Sequence, residues 1–146
     1  MRLHVYSFVE IVKFIDKTKT QKNSYLTSIV GVSSIASHDG GIGQTIYSAS
    51  KAALESVCKV LSKELVKKKI RLNTILPGLV DTEMTERWRK KIGIQNKDDL
   101  HKMQLNGLID PKEVAELINY LLSDLSKQIV GTEIRLDGGG PINKIF

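Results

Sequence analysis

The chain has 146 residues, is 41% hydrophobic, carries a formal net charge of +6 and contains a single cysteine. That size and apolar content suit one domain with a real core, and the lone Cys58 excludes an internal disulfide and fits a reducing cytoplasm. No apolar run approaches the roughly 20 residues a bilayer-spanning helix needs, and Glu10 interrupts the N-terminal apolar stretch, so neither a membrane span nor a secretory signal is expected.

Residues 3–17 space Val5, Phe8, Val9, Val12 and Ile15 as the apolar stripe of a helix. The polar stretch 18–24 reads as a loop. Residues 26–32 are apolar and β-rich, a short strand expected to be buried on both faces. The glycine-rich stretch 37–43 reads as loop throughout. A helix over about 45–67 carries Ile46, Ala49, Ala53, Val57, Leu61 and Leu65 along one side. It ends in Lys67-Lys68-Lys69, cations that complement the carboxyl end of a helix dipole.

Residues 70–76 form a second buried strand, stopped by Pro77-Gly78. The charged excursion 83–107 reads as one or two short helices, with Arg87, Arg89, Lys90 and Lys91 interleaved with Glu83 and Glu86. With only 5% aromatic residues and no nucleic-acid-binding signature, these basic clusters read as solvated charge, and no nucleic acid is expected as a partner. Asp110-Pro111-Lys112-Glu113 is a well-formed helix start: an acceptor at the N-cap, proline at the first helical position, then glutamate. The helix it opens turns Val114, Leu117, Ile118 and Leu121 inward. Residues 132–136 form a third strand, and Asp137-Gly138-Gly139-Gly140 closes the fold. Strands separated by helices imply a parallel sheet with right-handed crossovers.

The densest chemistry lies between the first strand and the long helix. Tyr47 and Lys51 are four apart and so share one helix face. A phenol beside a fixed ammonium ion has its anionic form favoured. A serine hydroxyl brought up from the preceding strand end would hold a carbonyl oxygen next to that phenol, which makes a proton-transfer site. Tyr-x-x-x-Lys alone is common on ordinary helices; its weight comes from the ordered motifs around it.

Those motifs resemble the C-terminal half of a short-chain dehydrogenase/reductase, closest in style to the 3-oxoacyl-carrier-protein reductases. Ile29-Val30-Gly31-Val32-Ser33-Ser34 resembles the strand that ends in the catalytic serine, and Tyr47-Ser48-Ala49-Ser50-Lys51 the catalytic helix. Arg71-Leu72-Asn73-Thr74-Ile75-Leu76-Pro77-Gly78 and Leu79-Val80-Asp81-Thr82 resemble the next strand and the nicotinamide-side loop. Gly131-Thr132-Glu133-Ile134-Arg135-Leu136-Asp137-Gly138-Gly139 resembles the last strand and its tail. The resemblance implies an α/β fold: half of a Rossmann-like, doubly wound parallel sheet, with about three strands and flanking helices. It implies Tyr47 as general acid/base, Lys51 as the cation that eases proton release and bonds the nicotinamide ribose, and Ser34 as the group orienting the substrate carbonyl. Pro77, Gly78, Val80 and Thr82 would line the nicotinamide of NAD or NADP.

The sequence also departs from the family. It has no Gly-rich dinucleotide fingerprint; Gly40-Gly41-Ile42-Gly43 follows the catalytic-type strand and reads as substrate-loop glycine. Residues 1–146 are therefore expected to form one truncated domain without the N-terminal βαβ portion, and the choice between NAD and NADP is not legible. His4 stands roughly where the family has a catalytic asparagine. An interior strand left at an edge should need a cover. Expected partners are thus a small carbonyl or alcohol substrate and either a second copy or a separate N-terminal half. The competing expectation is a non-catalytic half-domain used for interaction or oligomerisation.

Overall fold

The structure, a computed structural model, describes residues 2–18 and 26–140. A short π-helical turn, Arg2–Tyr6, leads into α1 (Ser7–Thr18). Then come β1 (Thr27–Val32), α2 (Ala36–Asp39), α3 (Thr45–Leu65), β2 (Ile70–Pro77), α4 (Glu83–Lys91), α5 (Lys97–His101), α6 (Pro111–Leu122) and β3 (Glu133–Leu136). Most of the loop expected at 18–24 lies outside the described residues.

The strands form a parallel sheet in the order β1-β2-β3, with Thr27 opposite Ile70 and Thr74 opposite Glu133. β2 is buried along its whole length, as a central parallel strand covered by helices should be. Its alternate residues serve two layers. Ile70 and Leu72 join Ile29 in a core with Val12 of α1 and Leu54, Cys58 and Leu65 of α3. Arg71 and Asn73 face the other way, toward the chain that follows α6. Arg71 donates to the carbonyls of Ser123 and Ser126, at 2.5 and 2.6 Å. Asn73 donates to the Ile129 carbonyl at 2.8 Å and accepts from the Thr132 N–H at 3.1 Å. Two buried polar side chains of the middle strand thus fix the connection that delivers β3.

The N-terminus of α6 forms as its residues dictate. Asp110 accepts from the Lys112 N–H while its own N–H donates to Glu113, both at 2.8 Å, which completes a capping box. Leu121 is fully buried beneath that helix.

Three expectations are corrected. β1 is not buried on both faces: only Ile29 and Gly31 are buried, and Val32 is exposed, because β1 has one sheet neighbour among the described residues. The stretch 37–43 is not all loop; α2 forms a helical turn that Gly40 ends at φ 69°. The inner face of α3 is Ser50, Leu54, Glu55, Cys58, Ser62 and Leu65, whereas Ile46 points to solvent. Ser50 and Ser62 can lie inside because their hydroxyls donate back to the carbonyls of Tyr47 and Lys59, at 2.7 and 2.9 Å.

The edge of β1 has a definite polarity. Thr27 and Ser33 donate their N–H groups to Lys69 and Ile75, toward β2. In a parallel strand the alternate residues Ser28, Val30 and Val32 therefore present their backbone groups to the open side.

Candidate active site

β1 delivers two serines with different fates. Ser33 is buried, its hydroxyl spent on Glu55 of α3. Glu55 also takes a 2.8 Å hydrogen bond from His38, so one buried carboxylate pins both the strand end and α2. Ser34 stays half-buried. Its carbonyl accepts from the Ser37 N–H at 3.1 Å and its Oγ accepts from the Ala36 N–H at 3.2 Å. The Ser34 hydroxyl hydrogen is not used in any bond among the described residues, so it can be donated.

Beyond α2 the chain swings through Gly40 and Gly43, both at positive φ, and enters α3. Tyr47 lies in its first turn and Lys51 in the next. The Lys51 Nζ sits 5.7 Å from the Tyr47 ring centroid and donates to the Val32 carbonyl at 2.8 Å. Burial pulls the Lys51 ammonium below the usual lysine range, and Glu55 opposes this. The edge of the His4 ring meets the Tyr47 ring, with centroids 6.0 Å apart. His4 Nδ1 lies 2.9 Å from Ser50 Oγ, whose single proton already goes to the Tyr47 carbonyl. Ser50 must therefore accept, and His4 is the tautomer that carries its hydrogen on Nδ1. Burial, and then Lys51, hold His4 below the usual histidine range.

Ser34 and Tyr47 line one cavity of about 450 Å³, together with Gly78 and Leu79 from the end of β2. Gln44, Met84, Trp88 and Met103 supply further wall. Gly78 has no room for a side chain, since a Cβ there would come within 2.8 Å of the Asp137 backbone. Lys51, Pro77, Val80 and Thr82 do not line this cavity. Pro77 is buried at the end of β2, Val80 bridges to Ile109, and Thr82 caps α4 by accepting from the Thr85 N–H at 3.3 Å.

Several side chains that build the site carry no sequence motif. Trp88, Met84 and Met103 stand in a charged excursion without a motif. Gln104 is buried and ties the loop together: it accepts from the Leu79 N–H at 2.6 Å and donates to the Gly107 carbonyl at 2.7 Å. His38, Glu55 and Glu133 bring possible ligand atoms within 4.8 Å of one another, and His38 and Glu55 are bonded directly.

Comparison with known proteins bears on the chain as a whole. A family model described as Enoyl-(Acyl carrier protein) reductase matches residues 1–140. A 3-oxoacyl-acyl-carrier-protein reductase of Thermotoga maritima is 40% identical over 112 residues, which are 77% of this chain and 44% of that protein. The crystal structure of a short chain dehydrogenase family protein from Francisella tularensis matches with a TM-score of 0.80 at 32% identity, over 96% of this chain and 60% of that one. The L-sorbose reductase of Gluconobacter frateurii, solved with NADPH and L-sorbose, matches with a TM-score of 0.82 at 25% identity, over 94% of this chain and 55% of that one. The chain spans less than half the length of the Thermotoga relative. The matched family model, the shared α/β sheet and the ordered motifs together place this chain in the short-chain dehydrogenase/reductase family, as a member resembling the 3-oxoacyl-acyl-carrier-protein reductases.

Proposed function

We propose that the chain carries the catalytic half of an oxidoreductase that interconverts a carbonyl and an alcohol, with Tyr47 as acid/base. The observation that carries this reading is that Ser34 and Tyr47 open onto the same cavity. Ser34 holds the substrate oxygen with its spare hydroxyl hydrogen. Tyr47 gives that oxygen a proton as the carbonyl is reduced and takes it back in the reverse direction. Lys51 stands beside that phenol, its Nζ 5.7 Å from the ring centroid, and a positioned acid/base of this kind contributes about 10²–10⁴ in rate.

The chemistry missing from these side chains is hydride transfer, which NAD(H) or NADP(H) would supply. The residues fit such a group. An ammonium has three donors, and the Val32 carbonyl takes one, which leaves Lys51 able to bond a ribose hydroxyl. Gly78 lines the cavity, and Pro77, Val80 and Thr82 flank it on the same turn as further candidates to stand beside the nicotinamide. The NADPH held by the sorbose reductase of the same fold supports this cofactor class.

Alone, the chain would be weakly active or inactive. It becomes competent when a separate N-terminal half, or a second copy, covers the open edge of β1. Cys58, the single cysteine, is buried and free, which suits a reducing compartment, and we place the chain in the cytoplasm.

A second reading, a half-domain kept for interaction or oligomerisation, is favoured by apolar side chains left in solvent: Ile11 and Phe14 on α1, Ile46 and Val60 on α3. One experiment separates the two. The chain, alone and mixed with the N-terminal half of the Thermotoga reductase, is titrated with NADH and NADPH and assayed for carbonyl-dependent oxidation of either. The enzyme reading requires turnover in the mixture that falls about 10²–10⁴-fold with Tyr47→Phe. Association without cofactor binding would establish the interaction module instead.

A further inference from the structure

The walls of the cavity carry information about its ligand. Six polar side chains line it: Ser34, Asp39, Gln44, Tyr47, Thr85 and Gln104. Three of them are already occupied. Asp39 is paired with Arg135 at 2.8 Å, Gln104 spends its amide on Leu79 and Gly107, and the Thr85 hydroxyl meets that of Thr82 at 3.3 Å. That leaves Ser34, Gln44 and Tyr47 for a ligand. Among the described residues no lysine, arginine or histidine lines the cavity, although the chain carries a net charge of +6. An anionic group set against the apolar wall would therefore have no lining cation to pair with, which is costly. The remaining wall is hydrocarbon and thioether: Ile35, Leu79, Met84, Trp88 and Met103.

Trp88 does two things here. Its ring lines the cavity, and its indole N–H donates to the Ile42 carbonyl at 3.3 Å, so it clasps α4 to the loop that carries Gly40 and Gln44. The two methionines beside it are flexible and can repack around different alkyl shapes.

We propose that the cavity selects an uncharged, mainly aliphatic ketone or secondary alcohol, and that Trp88 is its specificity-determining wall. This rests on Ser34 and Tyr47 being the reacting end. The oxygen lies against their hydroxyls and the alkyl portion against Met84, Trp88 and Met103.

Trp88 is the only tryptophan of the chain, so it reports on its own site. The full chain is titrated with straight-chain methyl ketones from acetone upward, and with keto acids of matched length, while tryptophan emission is followed. The ketones should shift the emission to the blue, and each added methylene should tighten binding by about fourfold. Matched keto acids should bind at least about tenfold more weakly. Affinity independent of alkyl length, or keto acids that bind as well as ketones, would overturn the proposal. So would ligand-free emission identical to that of the chain in denaturant, because the wall would not be formed. The Trp88→Phe variant keeps an aromatic wall and removes the clasp; followed by ligand-observed NMR, it should bind the longer ketones several-fold more weakly than the parent. Failure of the catalytic reading looks different: the ketone ladder persists, and no turnover appears with either cofactor.

Discussion

Replacing Asn73 tests how the central strand holds the last one. Its amide is buried, and it bonds the Ile129 carbonyl at 2.8 Å and the Thr132 N–H at 3.1 Å, both in the connection that delivers β3. Asn73→Ala leaves two backbone groups without partners. At about 1–3 kcal/mol for each stranded group, the loss is about 2–6 kcal/mol, a large share of the 5–15 kcal/mol that typically holds a domain together. Asn73→Asp is the sharper variant. It keeps the acceptor for Thr132 but sets a carboxylate oxygen against the Ile129 carbonyl. Burial raises the pKa of such a carboxyl, so its deficit should shrink as the pH falls toward the ordinary carboxylate range, where a protonated oxygen can donate again. Urea unfolding of the parent and both variants, followed by far-UV circular dichroism at several pH values, measures this. A loss below about 1 kcal/mol for Asn73→Ala, or a deficit for Asn73→Asp that does not change with pH, would refute the reasoning.

Two other outcomes follow from the same structure. The Arg89 guanidinium holds the Glu86 carboxyl down at about 2. Its folded-state pKa is depressed, so its stabilisation is complete above the ordinary carboxylate range and is lost as the pH falls from there toward 2; Glu86→Gln should remove that acid-limb sensitivity in thermal melts. Gly78→Ala would push a methyl to within 2.8 Å of the Asp137 backbone, so it should lower stability by about 1–3 kcal/mol and weaken ketone binding at the adjoining cavity, read by melting and by Trp88 emission.

What the sequence made legible was what short-range chemistry dictates. Asp110-Pro111-Lys112-Glu113 could hardly do other than cap a helix, and residues 70–76, closed by Pro77-Gly78, read as the buried strand they form. The inner face of α3 was misjudged because apolar spacing points to Ile46 and Ala49, whereas the buried positions include Ser50, Glu55 and Ser62. Those residues are inside because each finds a hydrogen-bond partner: Ser50 and Ser62 on their own helix, Glu55 across to Ser33 and His38, which only the fold brings near. The Tyr47–Lys51 pairing followed from spacing alone. The tryptophan and methionine wall did not, since 83–107 shows only charge until the fold brings Trp88 beside Ile42. The position of β1 at an edge followed from the missing motif, but not the uneven burial that results.

That edge has one further consequence. The backbone groups of Val32 face outward, and the lysine ammonium takes the outermost carbonyl of the row. Any strand zipped along this border ends at the atom that already holds the Lys51 ammonium. Where the newcomer donates to the same oxygen, strand addition and the Lys51 contact become thermodynamically linked, and each must then bias the other by the same factor.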